Sequence, residues 1–161
     1  MANNRSNIIG KKQMEPIKVY LNIYDILIKH NRCIEKIGMG IFHTGVEING
    51  KEYAFGGNSL LDDTGVYSMR PKTHDVFKFK ETFEIGEISD MEVVQSALQK
   101  TMKKYRANHY NMLTFNCNHF SHDFLILTIG RGLPPYLNRA AYLGSFLKCL
   151  VPRKYLIVTP P

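Results

Sequence analysis

The sequence predicts an α+β domain, because its strand signals come first and its helix signals second. Three observations carry this. "IKVYLNIYD" alternates with period two from Ile17 to Asp25. An Asn-Gly pair joins two β-prone runs in "GIFHTGVEINGKEYAFGG". Beyond Ser89, apolar residues return at helical spacing.

In the first strand Ile17, Val19, Leu21 and Ile23 share one face, with Lys18, Tyr20 and Asn22 on the other. "DILIKHNRCIEKIG" is ambiguous between short helix and loop. Asn49-Gly50 tolerates positive φ at both centres of a type I′ turn, so residues 40–57 read as a tight hairpin ended by Gly56-Gly57. "NSLLDDTGVYSMRP" reads as a loop holding at most a short strand. "DVFKFKETFEIGEI" is β-type, with Val76, Phe77, Phe79, Phe83 and Ile85 and a turn near Glu81.

The helical half opens with Ser89 and Glu92, spaced as a capping box. Met91, Val94, Leu98, Met102 and Tyr105 then form the predicted inner stripe, and Asn108 breaks the pattern. "HYNMLTF" is read as extended or irregular. A second helix is predicted from Asn116 or Cys117 to Ile129, with Phe120, Phe124 and Leu127 inward and Gly130 as its stop. "RGLPPYL" is a loop. Pro135 opens a third helix near Tyr136, carrying Leu137, Ala141, Phe146 and Leu147 inward until Pro152. The domain organisation is therefore a disordered lead-in at 1–15, one domain at 16–152 and a tail at 153–161.

The totals exclude several function classes. At 161 residues, 44% hydrophobic and 22% charged, the chain reads as one ordinary globular domain. No run approaches the roughly 18 apolar residues of a membrane helix, and "MANNRSNIIGKKQMEP" lacks the apolar segment of a secretory signal. The expectation is no membrane insertion. The net charge of +7 favours acidic partners. Its densest patch, Lys100, Lys103, Lys104 and "KYRANHY", reads as the solvated face of a helix, and no nucleic-acid recognition motif accompanies it. Cys33, Cys117 and Cys149 are odd in number and scattered, which argues against a disulfide framework and for a reducing compartment, cytoplasm or nucleus.

"FNCNHFSHDF", residues 115–124, concentrates the chemistry. Cys117 stands at a predicted helix start, where unpaired N–H groups and the helix dipole favour a thiolate. Cys149 falls near the unfavourable end of a helix and Cys33 has no comparable setting. Three readings stay open for Cys117: a nucleophile, a small buried apolar residue, or, with His119 and His122, part of a zinc site. Structural zinc wants four ligands, commonly from paired knuckles, and no C-x-x-C is present. A nucleophile needs a base from another element. His119 points to another side of the helix and His122 is more than a turn away. His43, on the first strand of the hairpin, is the candidate, against the alternative of an ordinary packed strand histidine.

"NIYD", "GIFHTGVEINGKEYAFGG", "NCNHF" and "LPPYLNRAA" occur here in order, and together they resemble the PPPDE family of cysteine peptidases, which includes the desumoylating isopeptidases. The resemblance runs over roughly residues 17–152; the stretch 26–39 departs from it. It implies a circularly permuted papain-like fold, a small antiparallel sheet packed against helices. It also implies His43 and Cys117 as the catalytic dyad, with no metal or cofactor. Asn116 and Asn118 are the side chains proposed to support the site or its oxyanion hole. The implied reaction is thiol-protease hydrolysis of isopeptide bonds that join ubiquitin or a SUMO-like modifier to proteins, and the family's precedent allows a homodimer. A protein thioesterase (S-depalmitoylase-like) built on the same dyad and a non-enzymatic binding module are the alternatives.

Overall fold

A computed structural model of the chain describes residues 15–26, 42–58, 62–112 and 114–138. Five strands form one antiparallel sheet: β1 (Ile17–Asp25), β2 (Phe42–Ile48), β3 (Lys51–Phe55), β4 (Val66–Met69) and β5 (Lys78–Ile88), in the order β4-β3-β2-β1-β5. Two helices follow, α1 (Met91–Lys104) and α2 (Cys117–Ile129). Single 3₁₀ turns occupy Ala107–His109 and Pro135–Asn138. This is the α+β architecture expected, a small antiparallel sheet packed against helices.

The hairpin forms as its turn chemistry demands. Asn49 (φ 49°) and Gly50 (φ 72°) both take left-handed backbone between β2 and β3. Val19, Leu21 and Ile23 of β1 are fully buried on the helix side, joined by Val46, Ile48 and Phe55 from the hairpin and by Phe120, Phe124 and Leu125 from α2. Full burial of each such side chain contributes about 1.5–3 kcal/mol.

Five details differ from the sequence reading. β5 runs unbroken through Glu81: the irregularity is two bulges, where its register against β1 shifts between Val19 and Tyr20 and between Ile23 and Tyr24. The predicted strand start at Val76 moves to Lys78; Val76 is exposed and Phe77 buried. The cap of α1 is Asp90, one residue after Ser89, its carboxylate accepting from the Glu92 N–H at 2.8 Å. The inner face of α1 is Val94, Ala97 and Thr101, while Met102 is 41% exposed; Thr101 hides its hydroxyl on the Ala97 carbonyl. On α2, Leu127 is 38% exposed, and Ser121, Leu125 and Thr128 complete the buried face instead.

Helix α2 spans the predicted residues and stops at Gly130 in left-handed conformation (φ 69°). Beyond Pro135 only the short turn is described, with Leu137 buried. The ambiguous stretch after Ile26, the rest of the predicted third helix, the lead-in before Glu15, the tail, Cys33 and Cys149 lie outside the described residues. Lys100, Lys103 and Lys104 are exposed on α1, and Lys104 pairs with Asp123 at 2.5 Å.

Candidate active site

The start of α2 is fastened to β2 by side chains. The Asn116 carboxamide oxygen accepts from the Asn118 and His119 N–H groups, and the His119 ring nitrogen returns to the Asn116 N–H, a reciprocal capping box. Asn116 Nδ2 donates to the Met112 carbonyl. Asn118 donates through Nδ2 to the carbonyls of Phe42 (3.4 Å) and Leu137 (3.2 Å), and its oxygen accepts from the Thr44 hydroxyl at 2.9 Å. Thr44 also lies 2.9 Å from Ser121 Oγ. Phe42 and Thr44, the two neighbours of His43, are therefore both tied to the first turn of α2. Both N–H groups of the Asn118 carboxamide are spent in this joint. Asn118 holds helix to strand, while Asn116 caps the helix and ties it to the Met112 carbonyl.

Cys117 begins the helix and is 2% exposed. Burial pushes its thiol up to about 11, opposed by hydrogen bonding from the Thr44 main chain, the Tyr110 side chain and the N–H groups at the helix start. Its sulfur thus faces β2 beside the residue after His43. Tyr110 is pressed in because Gly57 has no side chain; a Cβ there would meet the Tyr110 Cβ at 2.4 Å.

Strand alternation turns His43 away from the Thr44 side. Its ring is fully buried among Tyr24 (5.8 Å between centroids), His74 (4.9 Å) and Phe77 (5.0 Å). Neither ring nitrogen has a hydrogen-bond partner among the described residues. Burial, then the repulsion it would meet from a protonated His74, holds its pKa well below the ordinary histidine value, so the imidazole is neutral. No hydrogen bond joins His43 to Cys117 among the described residues.

Around His43 the far face of the sheet is polar and buried. Glu52 accepts from Asn22 (2.6 Å), from the Tyr24 hydroxyl (2.8 Å) and from the Lys72 N–H (3.0 Å). Asn22 spends its second N–H on Glu47 and its oxygen accepts from Thr82. Burial raises the Glu52 pKa, and those donors oppose the rise. Gly45 admits the carboxylate: a Cβ there would stand 2.1 Å from Glu52 Oε1.

The other histidines are occupied elsewhere. His119 is part of the helix cap, and His122 Nδ1 accepts from the Leu133 N–H at 3.2 Å. Among the described residues no group of three or more His, Cys, Asp or Glu is arranged to hold a metal ion, and no helix is long and apolar enough to cross a membrane. Tyr67, His74 and Tyr110 are site neighbours that sequence reasoning passed over; only the strands and turns that carry them bring them to Cys117 and His43.

Comparison with known proteins bears on this geometry. A family model described as "PPPDE putative peptidase domain" matches residues 17–155. The chain belongs to the PPPDE peptidase family. Within it, the chain is 33% identical to the DeSI-like protein At4g17486 of Arabidopsis thaliana, over 94% of this chain and 66% of that protein. It is 33% identical to the desumoylating isopeptidase 1 homolog of Caenorhabditis elegans, over 93% and 46% respectively. It is 30% identical to the DeSI-like protein sdu1 of Schizosaccharomyces pombe, over 80% and 66%. The chain thus spans about half to two thirds of the length of these PPPDE relatives.

Proposed function

We propose that this chain is a cysteine isopeptidase that removes SUMO, or a closely similar ubiquitin-like modifier, from proteins, with Cys117 as nucleophile and His43 as general base. One observation carries the reading. His43 is completely buried with both ring nitrogens unpartnered among the described residues, and its two neighbours in β2 are bonded to the helix turn that starts at Cys117. An unsatisfied buried polar group costs about 1–3 kcal/mol, and a histidine kept only for packing has every reason to find a partner. A buried imidazole nitrogen committed to no other bond is suited to take the proton of a thiol that reaches it.

The resting pair is neutral on both sides, a thiol raised to about 11 and an imidazole pushed down by burial. The proton therefore moves during attack. The imidazole takes the proton while sulfur bonds to the carbonyl carbon; it then gives that proton to the leaving lysine amine, and water hydrolyses the thioester. Names of relatives support the modifier: the Caenorhabditis protein is called a desumoylating isopeptidase homolog.

A protein thioesterase is the second reading. The low basicity of His43 makes the first step demanding, and a leaving thiolate needs no proton from it. Electrophilic probes built on SUMO and on ubiquitin separate the readings. A probe on either modifier should label wild type at Cys117 and leave Cys117→Ala unmodified. Cleavage of acyl thioesters with no labelling by either probe favours the thioesterase.

A further inference from the structure

Resting on the acyl-transfer reading above, we propose that the Tyr67 hydroxyl is the side-chain donor that stabilises the carbonyl oxygen under attack, with His74 as its positioning residue. The argument begins at the imidazole of His74. Its Nδ1 accepts two main-chain N–H groups, from Val76 at 3.1 Å and from Phe77 at 3.2 Å. That nitrogen carries no proton, so the proton is on Nε2. Nε2 lies 3.3 Å from the Tyr67 hydroxyl, and its N–H donates to that oxygen. With its oxygen accepting from His74, Tyr67 must aim its own hydrogen elsewhere, and no acceptor takes it among the described residues.

The hydroxyl lies in the pocket of the proposed base, because the His74 ring that it bonds packs on the His43 ring at 4.9 Å. Tyr67 pairs with Ala54 of β3 and so stands on the face of the sheet that carries Glu52 and His43, while on the other face the ring of Phe55 packs on Tyr110 at 5.1 Å. Tyr110 is the residue whose side chain bonds the Cys117 sulfur. Burial first, and then the negative charges that Cys117 and Glu52 carry when ionised, raise the Tyr67 pKa well above the ordinary tyrosine value. The hydroxyl thus keeps its proton and offers it as a hydrogen bond. The other side-chain amides near the thiol are committed: Asn118 spends both N–H groups on carbonyls, and Asn116 caps the helix.

In the reaction the thiolate sulfur bonds to the carbonyl carbon and the C=O π pair moves onto oxygen. Tyr67 donates to that oxygen without losing its proton. When the pair returns, the C–N bond breaks and the amine leaves with the proton from His43.

The test uses the full chain and two reagents for Cys117. Iodoacetamide alkylates the thiolate without forming an oxyanion. SUMO ending in a glycine aldehyde forms a thiohemiacetal whose oxygen occupies the oxyanion position. Tyr67→Phe should weaken capture of the aldehyde at least tenfold and change the alkylation rate less than twofold. On a cleavable SUMO conjugate it should lower kcat by about 10²-fold with KM little changed, the order expected for one lost donor. His74→Ala should give a smaller loss of the same kind, and His74→Gln, which keeps an N–H for Tyr67, should restore most of it. Equal aldehyde capture by Tyr67→Phe and wild type overturns the proposal. So does a parallel fall in alkylation, which would make Tyr67 a structural support of the thiol. If wild type takes iodoacetamide at Cys117 and neither SUMO nor ubiquitin aldehyde, the isopeptidase reading fails, and the role of Tyr67 falls with it.

Discussion

The two faces of the sheet are built by opposite rules. Toward the helices, Val19, Leu21, Ile23, Val46 and Phe55 meet Phe120 and Phe124 in an apolar core. On the far side, Asn22, Tyr24, His43, Glu52 and His74 are as thoroughly removed from water, yet each of these side chains is polar. The apolar face is held by area and fit. The polar face is held by a closed set of hydrogen bonds around Glu52, and His43 beside that set has no partner for its nitrogens among the described residues. A satisfied polar network fixes its members in place, and the member outside it is the proposed base. Cys117 sits at the seam, on the helix side but touching β2 beside His43.

The difference can be broken from either side. Phe120 stacks on Phe124 (5.4 Å) and meets Tyr105 edge-on (5.4 Å). Phe120→Ala should cost about 3–5 kcal/mol in chemical denaturation, because the cavity it leaves cannot fill. Glu52→Ala strands Asn22, Tyr24 and the Lys72 N–H at once, and should cost about 2–3 kcal/mol. Glu52→Gln keeps the shape and an acceptor, so it should cost clearly less; equal losses for the two would show that packing, not hydrogen bonding, holds this face.

Acid should attack the polar face through its histidines. The His43 and His74 pKa values lie below the ordinary 6.5 in the folded chain, so the unfolded chain binds more protons below that pH. Their contribution is fully present above about pH 6.5 and is lost as pH falls further. The melting temperature should therefore drop from pH 7.5 to 5.5, and His43→Leu should flatten that drop. A smaller effect belongs to the seam: Asn116→Ala removes the cap of α2 and should cost about 0.5–2 kcal/mol, with a matching loss in catalytic rate as the Cys117 turn loosens.

Legibility in the sequence follows the same division. β1, the Asn49-Gly50 hairpin and the span of α2 were readable because each is written in short-range signals: period two, a turn dipeptide, a helix-start asparagine and a terminal glycine. Cys117 and His43 stood out by their positions and by family resemblance. The polar face was not readable, because a buried Asn22 or Glu52 looks in sequence like any solvent-facing strand residue. Its burial comes from Lys72, His74 and Phe77, which the turn after β4 lays over the sheet. The bulges of β5 and the shift of the cap from Ser89 to Asp90 escaped for a related reason: both are settled by pairing with β1 and by the approach to α1, not by local preference. Tyr67 and Tyr110 come from β4 and an irregular loop, and only tertiary structure sets them near one thiol.

The central claim is that an unpartnered His43 serves Cys117 in acyl transfer. Cleavage of a SUMO–lysine isopeptide conjugate by wild type, Cys117→Ser and His43→Ala, each checked for a native melting transition, tests it most directly. The account predicts turnover by wild type and losses of at least about 10²-fold in kcat for both folded variants, the lower range for removing a general base. A folded His43→Ala enzyme that keeps wild-type turnover would contradict it.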